Sequence, residues 1–130
     1  MVIPDADVWI DFLNQRSGSE ELARLVEERQ ALMVGPVISE ILRGASESTE
    51  RERSLRHIEN LDYAEMSRRT WMLAGEIAAQ LDSRGLRIPM TDVYIAALAI
   101  QEGHEVFTRA QHFQGITGLR LYQADGVSNA

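Results

Sequence analysis

The chain alternates short apolar runs with longer segments in which apolar residues recur at helical spacing. The short runs predict strands at residues 2–4, 31–34, 105–108 and 119–124, with a possible fifth strand near 62–66. The longer segments predict helices at residues 7–15, from 19 onward, at 37–43, 67–84 and 92–102, and a solvated helix or mobile arm at 46–57. This alternation favours a parallel sheet that helices cover on both faces.

Length and apolar content agree with a globular protein of this kind. The chain has 130 residues, 45% of them hydrophobic, which is enough to bury a core and fits the size of one ordinary domain. We therefore predict an α/β fold of three layers, α/β/α, with a small, mostly parallel sheet of four or five strands. One domain is expected to span residues 1–130.

The charged residues exclude several classes of function. All 13 basic residues are Arg, so the chain cannot use a P-loop Lys, a Schiff base or a phosphotransfer site that needs Lys. The net charge of −7 argues against a protein that coats nucleic acid, because that affinity comes from neutralising phosphates. It does not exclude a nuclease, since carboxylates that hold Mg²⁺ present a cation to the substrate.

The cysteine content and the apolar runs bear on the cellular compartment. There is no cysteine, so the chain has neither a disulfide framework nor a thiolate metal site. The first residues do not resemble a secretory signal, and no apolar run reaches the roughly 18 residues of a membrane span. We expect a cytoplasmic protein without a membrane partner.

Three acids are expected at one edge of the predicted sheet. Asp5 follows the first strand, Glu40 lies in the helix after the second, and Asp92 lies in the first turn of the helix before the fourth. Thr108 ends that fourth strand. Ligands of parallel sheets bind beyond the carboxyl ends of the strands, and clustered carboxylates repel unless a cation lies among them. The pattern predicts a site for a hard divalent cation, Mg²⁺ or Mn²⁺.

Each acid also has a simpler interpretation. Asp92 and Glu40 could stabilise helix N-termini, where the helix dipole favours acids. Asp7 and Asp11 are interpreted as a helix cap and part of an exposed face. Asp5 is harder to explain in this way, because an acid at the end of a buried strand is costly without a partner. Only the combination of acids indicates chemistry.

The aromatic residues and the single turn histidine are assigned to structure. Trp9, Trp71 and Tyr94 occupy helical positions and are interpreted as packing or interface residues, with Trp71 facing the core. We interpret His112 as a turn residue and expect Phe113 to anchor that turn in the core.

Four motifs then match a known family in order and spacing: VIPDADVWIDFL, VISEILRGA, TDVYIAALAIQEG and EVFTRAQHFQGITGLRL. Together they run through nearly the whole chain, which resembles the PIN-domain ribonucleases and specifically the VapC-type toxins of toxin–antitoxin pairs. The resemblance implies a PIN-like fold and a metal-dependent endoribonuclease that hydrolyses RNA by metal-activated water.

The resemblance also assigns site residues. Asp5, Glu40 and Asp92 stand at the family's acidic positions, and Thr108 stands where a hydroxyl lines the pocket. The family's fourth acid, in the pattern Thr-x-Asp, falls on Ala110, which cannot bind a metal. We therefore expect one weakly held Mg²⁺ or Mn²⁺ bound by Asp5 and Asp92, with Glu40 holding water ligands or orienting the nucleophile. The alternative is a catalytically impaired protein that sequesters antitoxin or RNA without cleavage.

The implied partners are RNA, a VapB-type antitoxin, and a second copy of the chain in a homodimer or a larger toxin–antitoxin assembly. Arg43, Arg109 and the arm from Arg51 to Arg56 are candidates for substrate contacts. Candidates for the antitoxin surface lie on helices 7–15 and 37–43, although the same side chains could instead be core: Trp9, Phe12 and Ile41.

Overall fold

The structure, a computed structural model, describes residues 1–123. Its strands are β1 (Val2–Pro4), β2 (Met33–Val34), β3 (Tyr63–Ala64), β4 (Glu105–Phe107) and β5 (Arg120–Leu121). Its α-helices are α1 (Ala6–Leu13), α2 (Glu20–Glu27), α3 (Gly35–Gly44), α4 (Ser48–Glu59), α5 (Arg68–Ser83) and α6 (Met90–Glu102). A short 3₁₀ helix, Gln111–Gly115, precedes β5.

All strand pairs are parallel, as the alternation of strands and helices predicts. One sheet has the order β1-β4-β5, and β2 pairs with β3. A parallel bridge between Val2 and Ala31 connects β1 to the segment that leads into β2, so the strands follow the order β3-β2-β1-β4-β5. The small parallel α/β sheet is confirmed. The predicted last strand, 119–124, includes β5, and its end at Ala124 lies outside the described residues.

Helix α6 is buried on more than one face. Residues 95–99 are all at most 1% exposed, whereas a helix lying on a surface would bury one stripe. The reason is that α5 packs along α6 while α6 also lies against the sheet at β4. Of the residues predicted to face inward, Val93, Ala96 and Ala97 are fully buried and Ile100 is half-buried.

Two predicted helix starts are wrong by a few residues. Pro89, rather than Thr91, is the N-cap of α6, because the Pro89 carbonyl already accepts the helical hydrogen bond from the Val93 N–H at 3.1 Å. Helix α3 begins at Gly35 with Pro36 in its first turn, a position that suits a residue with no N–H to donate. Glu40 therefore lies in mid-helix.

The large side chains divide between core and surface differently from one part of the prediction. Trp71 is 47% exposed, so its predicted place in the core is wrong, although Ala74 and Leu81 on the same helix are buried. Trp9 and Ile41 are 0% and 4% exposed, so the alternative interpretation of these two as core residues is confirmed, and Phe12 is half-buried.

The charged segment 46–57 forms most of helix α4, which is largely exposed, as expected of a solvated helix. Within residues 1–123, no helix combines the length and apolarity needed to cross a membrane.

Candidate active site

Asp5 and Thr108 lie side by side at the carboxyl edge of the sheet. Strands β1 and β4 pair with Pro4 opposite Phe107, so the residues that follow them are neighbours. The Asp5 N–H donates to the Phe107 carbonyl at 2.9 Å, and the Thr108 hydroxyl donates to Asp5 Oδ2. The same hydroxyl oxygen accepts the Ala110 N–H at 3.0 Å. These three hydrogen bonds fix the Asp5–Thr108 pair.

Asp5 is also the N-cap of helix α1, where its Oδ1 accepts the Val8 N–H at 3.3 Å. The residue is only 7% exposed. Burial raises the pKa of Asp5, the hydrogen bonds from Thr108 and Val8 oppose that rise, and the charges of Asp7 and Asp92 add to it. Asp5 thus supplies the helix cap that the sequence pattern had assigned to Asp7.

Asp92 reaches the same edge from the other direction. Helix α6 ends at Glu102, and the left-handed conformation of its C-cap Gly103 (φ 74°) turns the chain toward β4. Because α6 runs opposite to β4, its first turn lies at the carboxyl edge. Burial raises the pKa of Asp92, the His112 hydrogen bond opposes the rise, and the charge of Asp7 adds to it.

Asp7, which the sequence assigned to structure, acts electrostatically on both aspartates of the site. It is exposed in the first turn of α1. Its negative charge raises the pKa of both Asp5 and Asp92. The sequence signal was the spacing of two residues after Asp5, which puts Asp7 just inside the helix that Asp5 caps.

His112 contacts the site directly, so its assignment as a turn residue alone is incomplete. His112 Nε2 lies 2.7 Å from Asp92 Oδ2. Phe113, 1% exposed, holds the 3₁₀ helix in the core as predicted, and the two rings lie 5.0 Å apart. Anchoring by Phe113 thus positions the imidazole against Asp92.

Glu40 is not part of a compact cluster with the two aspartates. Its side chain lines a cleft of about 520 Å³ together with Arg43 and Thr91. Within residues 1–123, no group of three acid, His or Cys side chains is arranged to hold a metal ion. The expected convergence of Glu40 with Asp5 and Asp92 is not seen among these residues and stays a prediction.

The two arginines proposed for substrate contacts differ in their surroundings. Arg43 is exposed at the cleft that Glu40 lines. Arg109 Nη1 donates to Asp11 Oδ2 at 2.6 Å, and Arg16 binds the other oxygen of Asp11 at 2.9 Å. Asp11 thus joins an ion-pair network instead of only an exposed face. A phosphate that binds Arg109 would compete with this carboxylate.

Ala110 is the N-cap of the 3₁₀ helix, and its half-buried methyl group packs against the core. It also lines a smaller cavity of about 220 Å³ with Thr108 and Arg109. Its side chain offers no ligand to a cation at the acidic edge.

The donor set fits one hard cation that keeps most of its water. Asp5 and Asp92 supply carboxylate oxygens, the ligands that Mg²⁺ and Mn²⁺ prefer, and Mg²⁺ is often held by one or two carboxylates plus substrate phosphate. Desolvation and mutual repulsion make the two charges unfavourable on their own. A cation would remove that cost.

We expect Asp5→Asn to raise the melting temperature in metal-free buffer by roughly 2–6 °C. The raised pKa of Asp5 means that the folded state disfavours the ionised form, so stability is lost as pH rises from the unfolded pKa through the folded pKa. Asn retains the acceptor for the Val8 N–H and removes the charge. Thermal denaturation followed by circular dichroism measures the change.

Added Mn²⁺ provides the matched control. It is expected to raise the melting temperature of the native chain, because a ligand of the folded state stabilises it, and to have little effect on Asp5→Asn. A lower melting temperature for Asp5→Asn without metal would contradict this account of the site.

Fold and site together define a class: an α/β protein with a parallel sheet and paired carboxylates at its carboxyl edge. The chain belongs to the PIN domain family, whose model matches residues 2–119. A comparison with curated proteins gives no match.

Solved structures agree with the fold. The chain is similar to a structure of VapBC2 from Rickettsia felis bound to a promoter DNA fragment, with a TM-score of 0.81, 22% identity and coverage of 96% of this chain and 100% of that one. It is similar to DNA-bound VapBC from Salmonella typhimurium, with a TM-score of 0.77, 22% identity and coverage of 93% of this chain and 96% of that one. It is also similar to VapBC-1 from nontypeable Haemophilus influenzae, with a TM-score of 0.75, 23% identity and coverage of 95% of this chain and 98% of that one. At these identities the likeness establishes the fold.

Proposed function

We propose that this chain is a metal-dependent endoribonuclease and the toxin of a VapBC-type toxin–antitoxin pair. The observation that carries the proposal is the pair of carboxylates at the carboxyl edge: Asp5 is buried, Asp92 is half-buried, and the charge of Asp92 raises the pKa of Asp5. Membership of the PIN domain family and the likeness to VapBC complexes support it.

In this mechanism Asp5 and Asp92 would hold Mg²⁺ or Mn²⁺, directly or through water. When bound, the ion supplies Lewis acidity to the scissile phosphate and the attacking water. The Thr108 hydroxyl keeps Asp5 Oδ2 in place, and His112 holds Asp92 Oδ2 at 2.7 Å. Both partners restrict carboxylate rotation, which pre-organises the site before substrate binds.

Glu40, in mid-helix beside the cleft, would orient or deprotonate the attacking water. Arg43 on the same cleft, and Arg109 once it leaves Asp11, would bind substrate phosphates. These roles fit the positions of the side chains around the acidic edge.

Cleavage of single-stranded RNA by the purified chain tests this function. We expect labelled RNA to be cut when Mg²⁺ or Mn²⁺ is present and to stay intact when EDTA is added. Intact RNA under every metal condition would count against the enzyme.

An antitoxin is the expected partner. We propose that a small VapB-type protein, encoded next to this chain, binds it and suppresses cleavage, and that the chain forms a homodimer or a hetero-oligomer with it. Copurification of the two proteins and loss of RNA cleavage in the complex are the expected results. A monomeric chain that ignores its genomic neighbour would contradict this assignment.

Ala110 favours a second candidate, a PIN-like protein that binds antitoxin or RNA without cutting. Its methyl group is half-buried, and the resemblance to VapC-type toxins implies the fourth acid at this position. The two candidates differ in one result: the enzyme cleaves RNA as the native chain, whereas the binder gains cleavage only with Ala110→Asp.

A further inference from the structure

We propose that the cleft beside the acidic edge is a nucleobase subsite, in which an unpaired base of the RNA stacks on Trp71. This subsite deepens the proposed ribonuclease function and rests on it. The supporting features are exposed aromatic rings, hydrogen-bonding groups between them, and the nearness of the cleft to Asp92.

Three aromatic residues line the cleft: Tyr63, Trp71 and Tyr94. Tyr63 and Trp71 are 44% and 47% exposed, and Trp71 meets Tyr94 edge to face, with ring centroids 5.0 Å apart. The edge-to-face contact holds the indole in one orientation without covering it. Large aromatic side chains kept exposed and oriented are the usual platforms for unpaired bases, since every base has a π face.

The cleft has room for a base. Its volume of about 520 Å³ lies in the range of small-molecule sites. Gly35 forms part of its wall, and a Cβ atom there would lie 3.3 Å from the Tyr63 hydroxyl oxygen. The glycine therefore lets the Tyr63 hydroxyl lie against the backbone.

Polar groups in the cleft favour bases whose edge carries particular hydrogen-bonding groups. Glu65 lines the cleft next to Tyr63, and after burial its charge is the second cause that raises the Tyr63 pKa. A carboxylate only accepts hydrogen bonds, so it favours a base edge with adjacent N–H donors, as guanine has, over uracil. With Glu40 also present, the interior repels phosphate, and Arg43 at the cleft supplies a cation for the RNA backbone.

The cleft also adjoins the proposed catalytic edge. Thr91 lines it, and the next residue along α6 is Asp92. A strand whose base stacks on Trp71 therefore passes close to the carboxylates. Glu40 belongs to the same cleft.

The test uses the full chain with Asp92→Asn, which keeps RNA intact during the measurement. Binding of a short, labelled single-stranded RNA is followed by fluorescence anisotropy. Adding Trp71→Ala is expected to weaken binding by about 5- to 150-fold, the loss of one stacked base. The matched control is Met72→Ala, which removes a side chain that is 64% exposed on the same helix and is expected to leave affinity within about twofold.

Tryptophan emission supplies a readout that a structural role would not give. The chain has two Trp residues, and Trp9 is 0% exposed. RNA is expected to quench the emission of Trp71, and Trp71→Phe is expected to abolish quenching while anisotropy still detects binding. RNA with guanine at its unpaired position is expected to bind more tightly than the uracil version.

Equal RNA affinity in the Trp71→Ala and Met72→Ala chains would overturn the subsite. So would a Trp71→Ala chain that changes from dimer to monomer by light scattering with unchanged RNA affinity, since the cleft would then join two copies. If the native chain cleaves RNA but RNA binding does not depend on Trp71, only the subsite is refuted. If RNA binding depends on Trp71 but the native chain does not cleave RNA, only the proposed enzyme activity is refuted.

Discussion

Replacing Asp92 with Asn is expected to lower the rate of metal-dependent RNA cleavage on the order of 100- to 1000-fold. The substitution keeps the shape of the side chain and one acceptor near His112, but it removes one of the two charges that would hold the cation. Initial rates with labelled RNA at a fixed Mn²⁺ concentration measure the effect.

Asp82→Asn is the matched control, since Asp82 is an exposed acid on α5. Its rate is expected to equal that of the native chain. Circular dichroism of both variants checks that they fold. An Asp92→Asn chain that cleaves at the native rate would exclude Asp92 from the chemistry.

Replacing Ala110 with Asp is expected to raise the affinity for Mn²⁺ about tenfold or more. The new carboxylate would stand two residues beyond Thr108, whose hydroxyl donates to Asp5 Oδ2. The native chain is expected to bind one ion weakly, because only Asp5 and Asp92 serve as ligands. Isothermal titration calorimetry of the two chains makes the comparison.

Ala110→Asn separates the charge from the size of the new side chain. It is expected to disturb the packing of the 3₁₀ helix as Asp does, without improving metal binding. Two tight ions in the native chain, or equal affinities of the Asp and Asn variants, would contradict the single-cation site.

The sheet and the Asp5–Thr108 pair could be predicted from local sequence. Short apolar runs between amphipathic segments define parallel strands, and the residues after neighbouring parallel strands must lie together. The register of Pro4 with Phe107 fulfils this expectation. Asp92 followed from the same logic, because a helix that leads into a strand begins at the strand's carboxyl end.

The parts of the site that sequence missed depend on tertiary contacts between distant segments. His112 meets Asp92 across 20 residues, and no periodic pattern encodes that contact. Asp7 looked like a cap because caps and site acids use the same residue types at helix starts. Its effect is visible only once Asp5 and Asp92 are close to it.

The cleft shows why helical spacing alone misassigned Trp71. Ala74 and Leu81 share its helix and are buried, but Trp71 lies near the start of α5, beyond the cover of the core, and packs on Tyr94. Glu40 was expected at the acidic edge because its helix follows β2 directly. In mid-helix it lines the cleft that adjoins this edge.

Cleavage of one labelled RNA by the native and Ala110→Asp chains, side by side with Mn²⁺ and with EDTA, tests the central claim most directly. The account predicts that the native chain cuts in Mn²⁺, that EDTA stops it, and that Ala110→Asp cuts faster. Cleavage by Ala110→Asp alone would contradict the claim and identify the native chain as a binding protein.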